Sequence, residues 1–236
     1  MRTTRFIAAG LALALASPCA FAEWSVEGEI TLATDYAFRG VSQTDRKPAF
    51  QPGLTVSHGS GFYAGLWASN VDFDDPDDGI KGELDIFVGW NADLGERLNL
   101  DLLLSRYTYP GANDGYEADY NELITTLTFD ETWFLALGYT NDYARSGEKA
   151  TYVQVGADFP LGGSEDWTAG FSVGSLTFDD VFGASYTDYR FGVSRSFGNN
   201  TLDLSWIGTN GAGDAIAPRE WTGDRVVLSF TIGIGK

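Results

Sequence analysis

The 236-residue chain is acidic, with 33 aspartates and glutamates against 15 lysines and arginines and a formal net charge of −18 at pH 7. This charge balance argues against nucleic acid as a partner. It does not indicate disorder, because 14% of the residues are aromatic. The 29 glycines and only 7 prolines, together with the aromatic content, favour an all-β fold.

The N-terminal segment has the pattern of a secretory signal peptide. Arg2 and Arg5 precede an apolar run that is too short to cross a bilayer, and residues 20–22 form an A-x-A cleavage signal. We therefore expect a signal peptide over 1–22 and a single mature domain over 23–236.

The only cysteine, Cys19, lies inside the predicted signal peptide. Cleavage after Ala22 removes it, which excludes disulfides and thiol chemistry from the mature protein. Lipidation of Cys19 is the alternative, but Pro18 directly before it fits a lipoprotein site poorly.

Short segments of alternating apolar and polar residues recur along the rest of the chain, with turn residues between them. Each segment is near the length that a tilted strand needs to cross a bilayer. Both faces carry apolar residues in the second and third segments, so those two are less clear. The alternation predicts about 12 strands, near residues 26–38, 50–58, 62–71, 84–90, 98–104, 123–129, 133–139, 153–159, 167–173, 189–193, 202–206 and 226–234.

The predicted connections alternate strictly between short and long. The shorter ones lie at 58–61, 93–96, 130–132, 161–166 and 198–200. The longer or more polar ones lie at 42–49, 72–82, 110–119, 141–149, 177–185 and 208–223. Short turns at one end and longer loops at the other are typical of an outer-membrane barrel. The sequence therefore predicts an all-β, transmembrane, antiparallel up-and-down β-barrel in a Gram-negative outer membrane.

Aromatic residues near the predicted strand ends favour the same interpretation. A ring with a polar tip suits the membrane–water boundary, although such residues also fill the core of soluble β-proteins. The residues concerned are Tyr36, Phe38, Trp90, Tyr107, Tyr109, Phe129, Trp133, Tyr139, Trp167 and Trp206.

The first third of the chain resembles a known family. The block ATDYAFRGVSQTDRKPAFQPGLTVSHGSGFYAGLWASNVDF, at 33–73, is similar to the opening of the TorF porin family. Residues 83–90 and 120–123 resemble later elements of that family more diffusely. The resemblance implies an outer-membrane barrel and specifies its fold better than its solute.

The polar face of the predicted strands places charges in the barrel interior. Rings of carboxylates attract cations, and opposed arginines narrow the path. We expect a narrow, modestly cation-preferring diffusion channel for small hydrophilic solutes. The candidate lumen and constriction residues are Asp35, Arg39, Glu83, Asp85, Asp101, Glu122, Asp188, Arg190 and Arg225, with Glu27, Glu29 and Asp203 on the same face.

The stretch TDYAFRGVSQTD, residues 34–45, is interpreted as the outer end of the first strand and the start of a loop. Tyr36 and Phe38 are expected to face lipid, with Asp35 and Arg39 on the lumen face of the same strand. Arg39 is the candidate gate. The alternative is that the charges pair into a plug, which would leave a non-transporting barrel with a surface or envelope role.

A barrel hydrolase and a metal site are the remaining alternatives. Hydrolases of this kind need a histidine, and the one histidine, His58, lies in a predicted turn at the end opposite the longer loops.

The acidic segment 72–79 is better explained as a solvated loop than as a calcium site. We therefore expect no enzyme activity, metal or cofactor. The expected partners are outer-membrane lipid, lipopolysaccharide, small solutes and the barrel-assembly machinery.

Overall fold

A computed structural model describes residues 24–162, 166–179, 185–211 and 217–235. The predicted signal peptide over 1–22 lies outside these residues. The strands are β1 (Trp24–Ala33), β2 (Ala37–Phe38), β3 (Val41–Ser42), β4 (Ala49–His58), β5 (Phe62–Asn70), β6 (Gly82–Asp93), β7 (Leu98–Thr108), β8 (Tyr120–Phe129), β9 (Trp133–Thr140), β10 (Ala150–Pro160), β11 (Trp167–Phe178), β12 (Tyr186–Phe197), β13 (Asn200–Thr209) and β14 (Arg225–Ile234). A 3₁₀ turn (Tyr143–Arg145) and a short helix α1 (Arg219–Thr222) lie in the connections.

β1 and β4 to β14 close into one antiparallel barrel. β1 completes the cylinder because Glu29 lies opposite Gly53 of β4 on one side and opposite Gly233 of β14 on the other. Closure pairs the backbone groups of both edge strands, so the barrel has no free sheet edge. The predicted up-and-down barrel of about 12 strands is confirmed. Within the described ranges, no helix is long and apolar enough to cross a membrane.

The two ends of the barrel differ, as the connections predicted. Short turns join the strands at one end, here called the turn end, where β4 passes to β5 through 59–61. Longer connections cluster at the other end, here called the loop end, and include 34–48, 71–81 and 210–224.

The outer wall is apolar. Leu54, Leu66, Val88 and Leu204 each expose about half of their side-chain surface, although they sit in the middle of regular strands. Rings surround the turn end on this outer face, namely Trp24, Phe62, Phe129, Trp133, Phe159, Trp167 and Phe197. Water does not favour so large an apolar surface, so the wall requires a non-aqueous neighbour.

Four of the ten rings predicted to face lipid lie in the interior instead. Tyr107 is buried on the inner face of β7, and Tyr36, Phe38 and Tyr109 belong to connections that pack inward. The tyrosine hydroxyls among them can reach interior partners, as when the hydroxyl of Tyr36 lies 3.5 Å from Oε1 of Glu83. A ring with a polar tip suits a polar barrel interior as well as a membrane boundary, and strand position does not separate the two.

Part of the interior is closely packed near the middle of the barrel. Tyr63, Phe87 and Leu103 form one buried cluster, with Trp67 against it. Large rings are accommodated by glycine on the adjacent strand. A Cβ on Gly89 would lie 2.2 Å from Cζ of Tyr63, which is closer than packed atoms allow.

The first loop-end connection, residues 34–48, folds into the barrel and is called the strap from here on. β1 ends at Ala33, so the predicted continuation of this strand through Arg39 is wrong. Instead β2 and β3 form a hairpin in which Phe38 pairs with Val41. The alternation continues past Ala33 because a hairpin is also extended chain, and sequence periodicity does not distinguish it from the wall.

The strap turns on Arg39 and Gly40, which have φ angles of 48° and 80°. Two consecutive positive φ values fit a two-residue hairpin turn of type I′. Gly40 also touches the wall. A Cβ there would lie 2.7 Å from Cβ of Asp188 and 2.8 Å from Cγ2 of Thr209.

Replacing Gly40 with alanine should therefore release the tip of the strap. Positive φ and steric overlap together cost about 1–3 kcal/mol, so we expect the population of the released form to rise about fivefold or more. Trypsin cleavage after Arg39, which is buried in the closed form, measures this release in detergent micelles.

Gly115→Ala is the matched control, because Gly115 also has positive φ, at 91°, but has open space around its Cα. It should leave Arg39 as protected as in the wild type. Equal protection of Arg39 in the Gly40 and Gly115 variants would contradict the packing role of Gly40.

Candidate functional site

All nine predicted lumen residues face the interior, and they fall into two groups. Seven lie near the loop end around the strap and are almost completely buried, namely Asp35, Arg39, Glu83, Asp85, Glu122, Asp188 and Arg225. Asp101 and Arg190 lie deeper and keep partial exposure to solvent. The strap separates these two environments.

The strap crosses the lumen and contacts the inner wall on several sides. Tyr36 packs edge-on against Trp67 of β5 with ring centroids 5.2 Å apart, and Phe38 packs against Tyr107 of β7 at 5.9 Å. Gly40 lies against β12 and β13, as described above. A hairpin in contact with walls this far apart closes the loop end of the barrel.

An ion pair holds the base of the strap. The Asp35 carboxylate accepts a hydrogen bond from Nε of Arg225 on β14 and another from Oγ of Ser42 at 2.5 Å. Arg225 also donates to the carbonyl oxygen of Gly40 at 3.0 Å. Asp35 and Arg39 therefore do not share a strand face as predicted, because Asp35 binds β14 and Arg39 binds a different strand.

The base of the strap also contacts the other loops. Nζ of Lys47 lies 2.7 Å from Oδ2 of Asp72, in the connection between β5 and β6. This hydrogen bond lowers the pKa of Asp72 and raises that of Lys47. Nε1 of Trp221 in α1 donates to Oδ1 of Asp45 at 2.9 Å. Two other loop-end connections thus contact the strap.

A second ion pair holds the tip. Nη2 of Arg39 lies 2.6 Å from Oε1 of Glu122 on β8, and the two side chains expose only 4% and 1% of their surface. The hydroxyl of Tyr107 donates to Oε2 of the same carboxylate at 3.1 Å. The Arg39 guanidinium also lies over the ring of Tyr152, 4.2 Å from its centroid. Because the pair is buried, loss of either partner leaves an uncompensated charge.

Carboxylates outnumber cations in this layer. Glu83 and Asp85 lie side by side on the inner face of β6, and Oδ1 of Asp85 is buried without a hydrogen-bond partner. The hydroxyl of Tyr152 donates to Asp188 at 3.0 Å. Together with Glu122, these make four buried carboxyl groups on the wall around the strap. The strap tip contributes one positive group, the guanidinium of Arg39.

The turn-end half of the lumen is polar and partly exposed, and we call it the vestibule. Arg190 pairs with Asp203 at 2.6 Å, with exposures of 16% and 21%. Asp101 accepts from the hydroxyl of Tyr63 at 2.8 Å. Among the described residues, the ionisable groups that line the vestibule include Glu27, Glu29, Asp101, Asp158, Arg190 and Asp203. Five acids against one arginine give this space a negative field.

Sequence reasoning missed the interior aromatic residues that hold these charges. Tyr63, Tyr107 and Tyr152 orient Asp101, Glu122 and Asp188 through their hydroxyls. One available signal was glycine on the neighbouring strand. Gly174 lies opposite Gln154 in the register, and a Cβ on Gly174 would meet the Tyr152 hydroxyl oxygen at 2.1 Å.

The two weaker candidates lie away from this site. Nδ1 of His58 is 2.7 Å from Oγ of Ser60, and its ring packs on Trp24 at the turn end. In the acidic segment 72–79, Asp72 pairs with Lys47 and Asp78 accepts from the backbone N–H of Ile80. Across the part of the chain that the structure describes, no group of His, Cys, Asp and Glu side chains is arranged to hold a metal ion.

Several solved structures share this fold. The NanC porin aligns with a TM-score of 0.57 at 9% identity, over 89% of this chain and 99% of its own. The KdgM porin gives 0.54 at 8% identity, over 88% and 98%. The COG4313 outer membrane channel from Pseudomonas putida F1 gives 0.51 at 10% identity, over 93% and 99%. At such identities the likeness establishes the porin-type barrel fold.

A comparison with curated protein sequences found no match. The resemblance of residues 33–73 to the TorF family stays a prediction, because the family model that matches carries another name. That model describes a bacterial protein of unknown function, Gcw_chp, and matches residues 17–232. The chain therefore belongs to the Gcw_chp family.

Proposed function

We propose that the protein is an outer-membrane channel for small hydrophilic solutes, with a preference for cations and with the strap as its gate. One observation carries the proposal. The barrel is apolar outside and lined by ionisable groups inside, and its interior is solvated at the turn end and closed by a hairpin at the loop end. Porin-type structural neighbours support it through the fold.

The outer wall supports the location. An apolar band with aromatic rings at its turn end matches what lipid requires, and a closed barrel satisfies its backbone polar groups without water. With the predicted signal peptide, this gives export to the outer membrane of a Gram-negative bacterium. Lipopolysaccharide and the barrel-assembly machinery are then its expected partners.

The charge of the lumen supports the preference for cations. The vestibule has five acids and one arginine, so cations are concentrated there before they reach the strap. A low-dielectric wall strengthens this field relative to that of an exposed surface.

A non-transporting barrel is the second candidate, and the two buried ion pairs of the strap favour it. In that case the strap is a permanent plug. A hydrolase is disfavoured, because His58 lies at the turn end and pairs with Ser60, far from the acidic layer at the loop end.

Planar-bilayer conductance separates the channel from the plug. Replacing Arg39 with alanine leaves Glu122 buried and unpaired, a defect that costs about 3–5 kcal/mol in the closed form. We expect rare openings of the wild type and at least a roughly tenfold higher open probability for Arg39→Ala.

The control for this measurement is Arg97→Ala, which removes an exposed ion pair to Asp130 at the turn end. Its openings should match those of the wild type, because exposed pairs contribute little. If folded wild-type and Arg39→Ala proteins both give no conductance steps, the barrel is a plug and the channel proposal fails.

Reversal potentials in a KCl gradient test the selectivity. We expect K⁺ to permeate more readily than Cl⁻ at low salt, and the ratio to fall towards one when Glu27 and Glu29 are both replaced by glutamine. The preference should weaken near 1 M salt, where the screening length is about 3 Å.

Glu96→Gln is the comparison variant, since Glu96 is exposed in the turn between β6 and β7 and does not line the lumen. An anion-preferring wild type, or equal effects of the lumen and turn variants, would count against an acidic lumen as the source of selectivity.

A further inference from the structure

The barrel wall surrounds the tip of the strap in the way that a binding site surrounds its ligand. The guanidinium of Arg39 meets a carboxylate, Glu122, at 2.6 Å and the face of an aromatic ring, Tyr152, at 4.2 Å. Both groups belong to the barrel wall, on β8 and β10, and not to the strap. The strap contributes one further contact, the ring of its own Phe38 at 4.7 Å from the guanidinium carbon. The carboxylate and the Tyr152 ring belong to the wall, and they stay in place for another cation when Arg39 is removed.

The wall fixes the two groups in place. The Tyr107 hydroxyl donates to the second oxygen of Glu122 at 3.1 Å, which leaves Oε1 directed at the guanidinium. The Tyr152 hydroxyl donates to Asp188 at 3.0 Å, so the ring that faces Arg39 is anchored by a negative group behind it. A preorganised carboxylate and ring bind a cation without first losing side-chain freedom.

The wall also leaves room for the head of the cation. Gly138 on β9 lies beside the pair, and a Cβ there would be 2.6 Å from Oε1 of Glu122 and 3.0 Å from Nη2 of Arg39. Any larger residue at 138 would obstruct the contact. Nη1 of Arg39 is buried without a hydrogen-bond partner, so the site holds the guanidinium through Nη2 and through the ring face, and not through all of its donors.

We propose that this pocket, formed by Glu122, Tyr107, Tyr152 and Gly138, is a binding site for solutes that carry a guanidinium group, and that Arg39 occupies it as a tethered competitor. The proposal deepens the channel function, on which it rests for the route by which a solute arrives. Binding to the emptied pocket does not depend on that route.

A guanidinium fits this pocket better than a simple metal cation. It is planar and weakly hydrated, it stacks on aromatic faces, and it donates in the plane to a carboxylate. A strongly hydrated ion such as K⁺ gains less from an aromatic wall. A short tether gives Arg39 an effective concentration in the millimolar range, so free solutes compete at millimolar concentrations.

The test uses Arg39→Ala of the full-length chain in detergent, with ethylguanidinium as the probe. We expect a saturable rise in the unfolding temperature of about 2–4 °C when the probe exceeds its dissociation constant several-fold. Sodium chloride at equal ionic strength should not reproduce the rise. The wild type, in which Arg39 competes for the pocket, should show a smaller rise that needs a higher concentration of the probe.

Two variants serve as controls. Arg190→Ala also removes an inward arginine paired with a carboxylate at 2.6 Å, but in the described part of the chain no aromatic face lies under Arg190. It should gain nothing from ethylguanidinium. The double variant Arg39→Ala, Glu122→Gln should also gain nothing, because it lacks the carboxylate.

A rise that is equal in Arg39→Ala and in either control overturns the proposal, as does the absence of any rise. If Arg39→Ala fails to fold alone, it is refolded with ethylguanidinium. Recovery of the folded barrel supports the site, and failure to recover it overturns the site.

Conductance distinguishes this proposal from the channel function. If Arg39→Ala conducts, but ethylguanidinium neither blocks its current nor stabilises the protein, the channel function stands and the guanidinium site is wrong. If ethylguanidinium stabilises Arg39→Ala but no conductance is seen, the guanidinium site stands and the channel function is wrong.

Discussion

The closed form of this barrel depends on the buried ion pair between Arg39 and Glu122. Taking two charges out of water is favourable only when each finds its partner, so the strap tip has one well-defined position. That position sets the contacts of Phe38 and Gly40 with the wall and thereby closes the loop end. The vestibule needs no such contact, since its charges keep access to solvent.

The wall of the barrel was predictable from the sequence. Side chains alternate across a strand, so one apolar and one polar face determine which residues point inward, and the seven lumen candidates that lie on wall strands do. Loop lengths predicted the two ends for an equally simple reason. Tight turns need few residues, whereas connections at the opposite end are free to be long.

The strap was not predictable from the same pattern. Residues 34–39 continue the alternation of β1, yet the chain leaves the wall at Thr34 and folds inward. What decides between the two paths is the set of partners, Glu122 for Arg39 and Arg225 for Asp35, which lie 83 and 190 residues away. Periodicity reads only local order, so long-range ion pairs of this kind lie beyond it.

The strap is held at two separate places, and this shapes how it moves. If the tip leaves Glu122, the base remains attached through Asp35 to β14 and through Lys47 to Asp72. The freed hairpin then explores a small volume and returns quickly, without refolding any barrel strand. Loop motions of this size occur within nanoseconds to microseconds, so we expect the openings of the proposed gate to be brief.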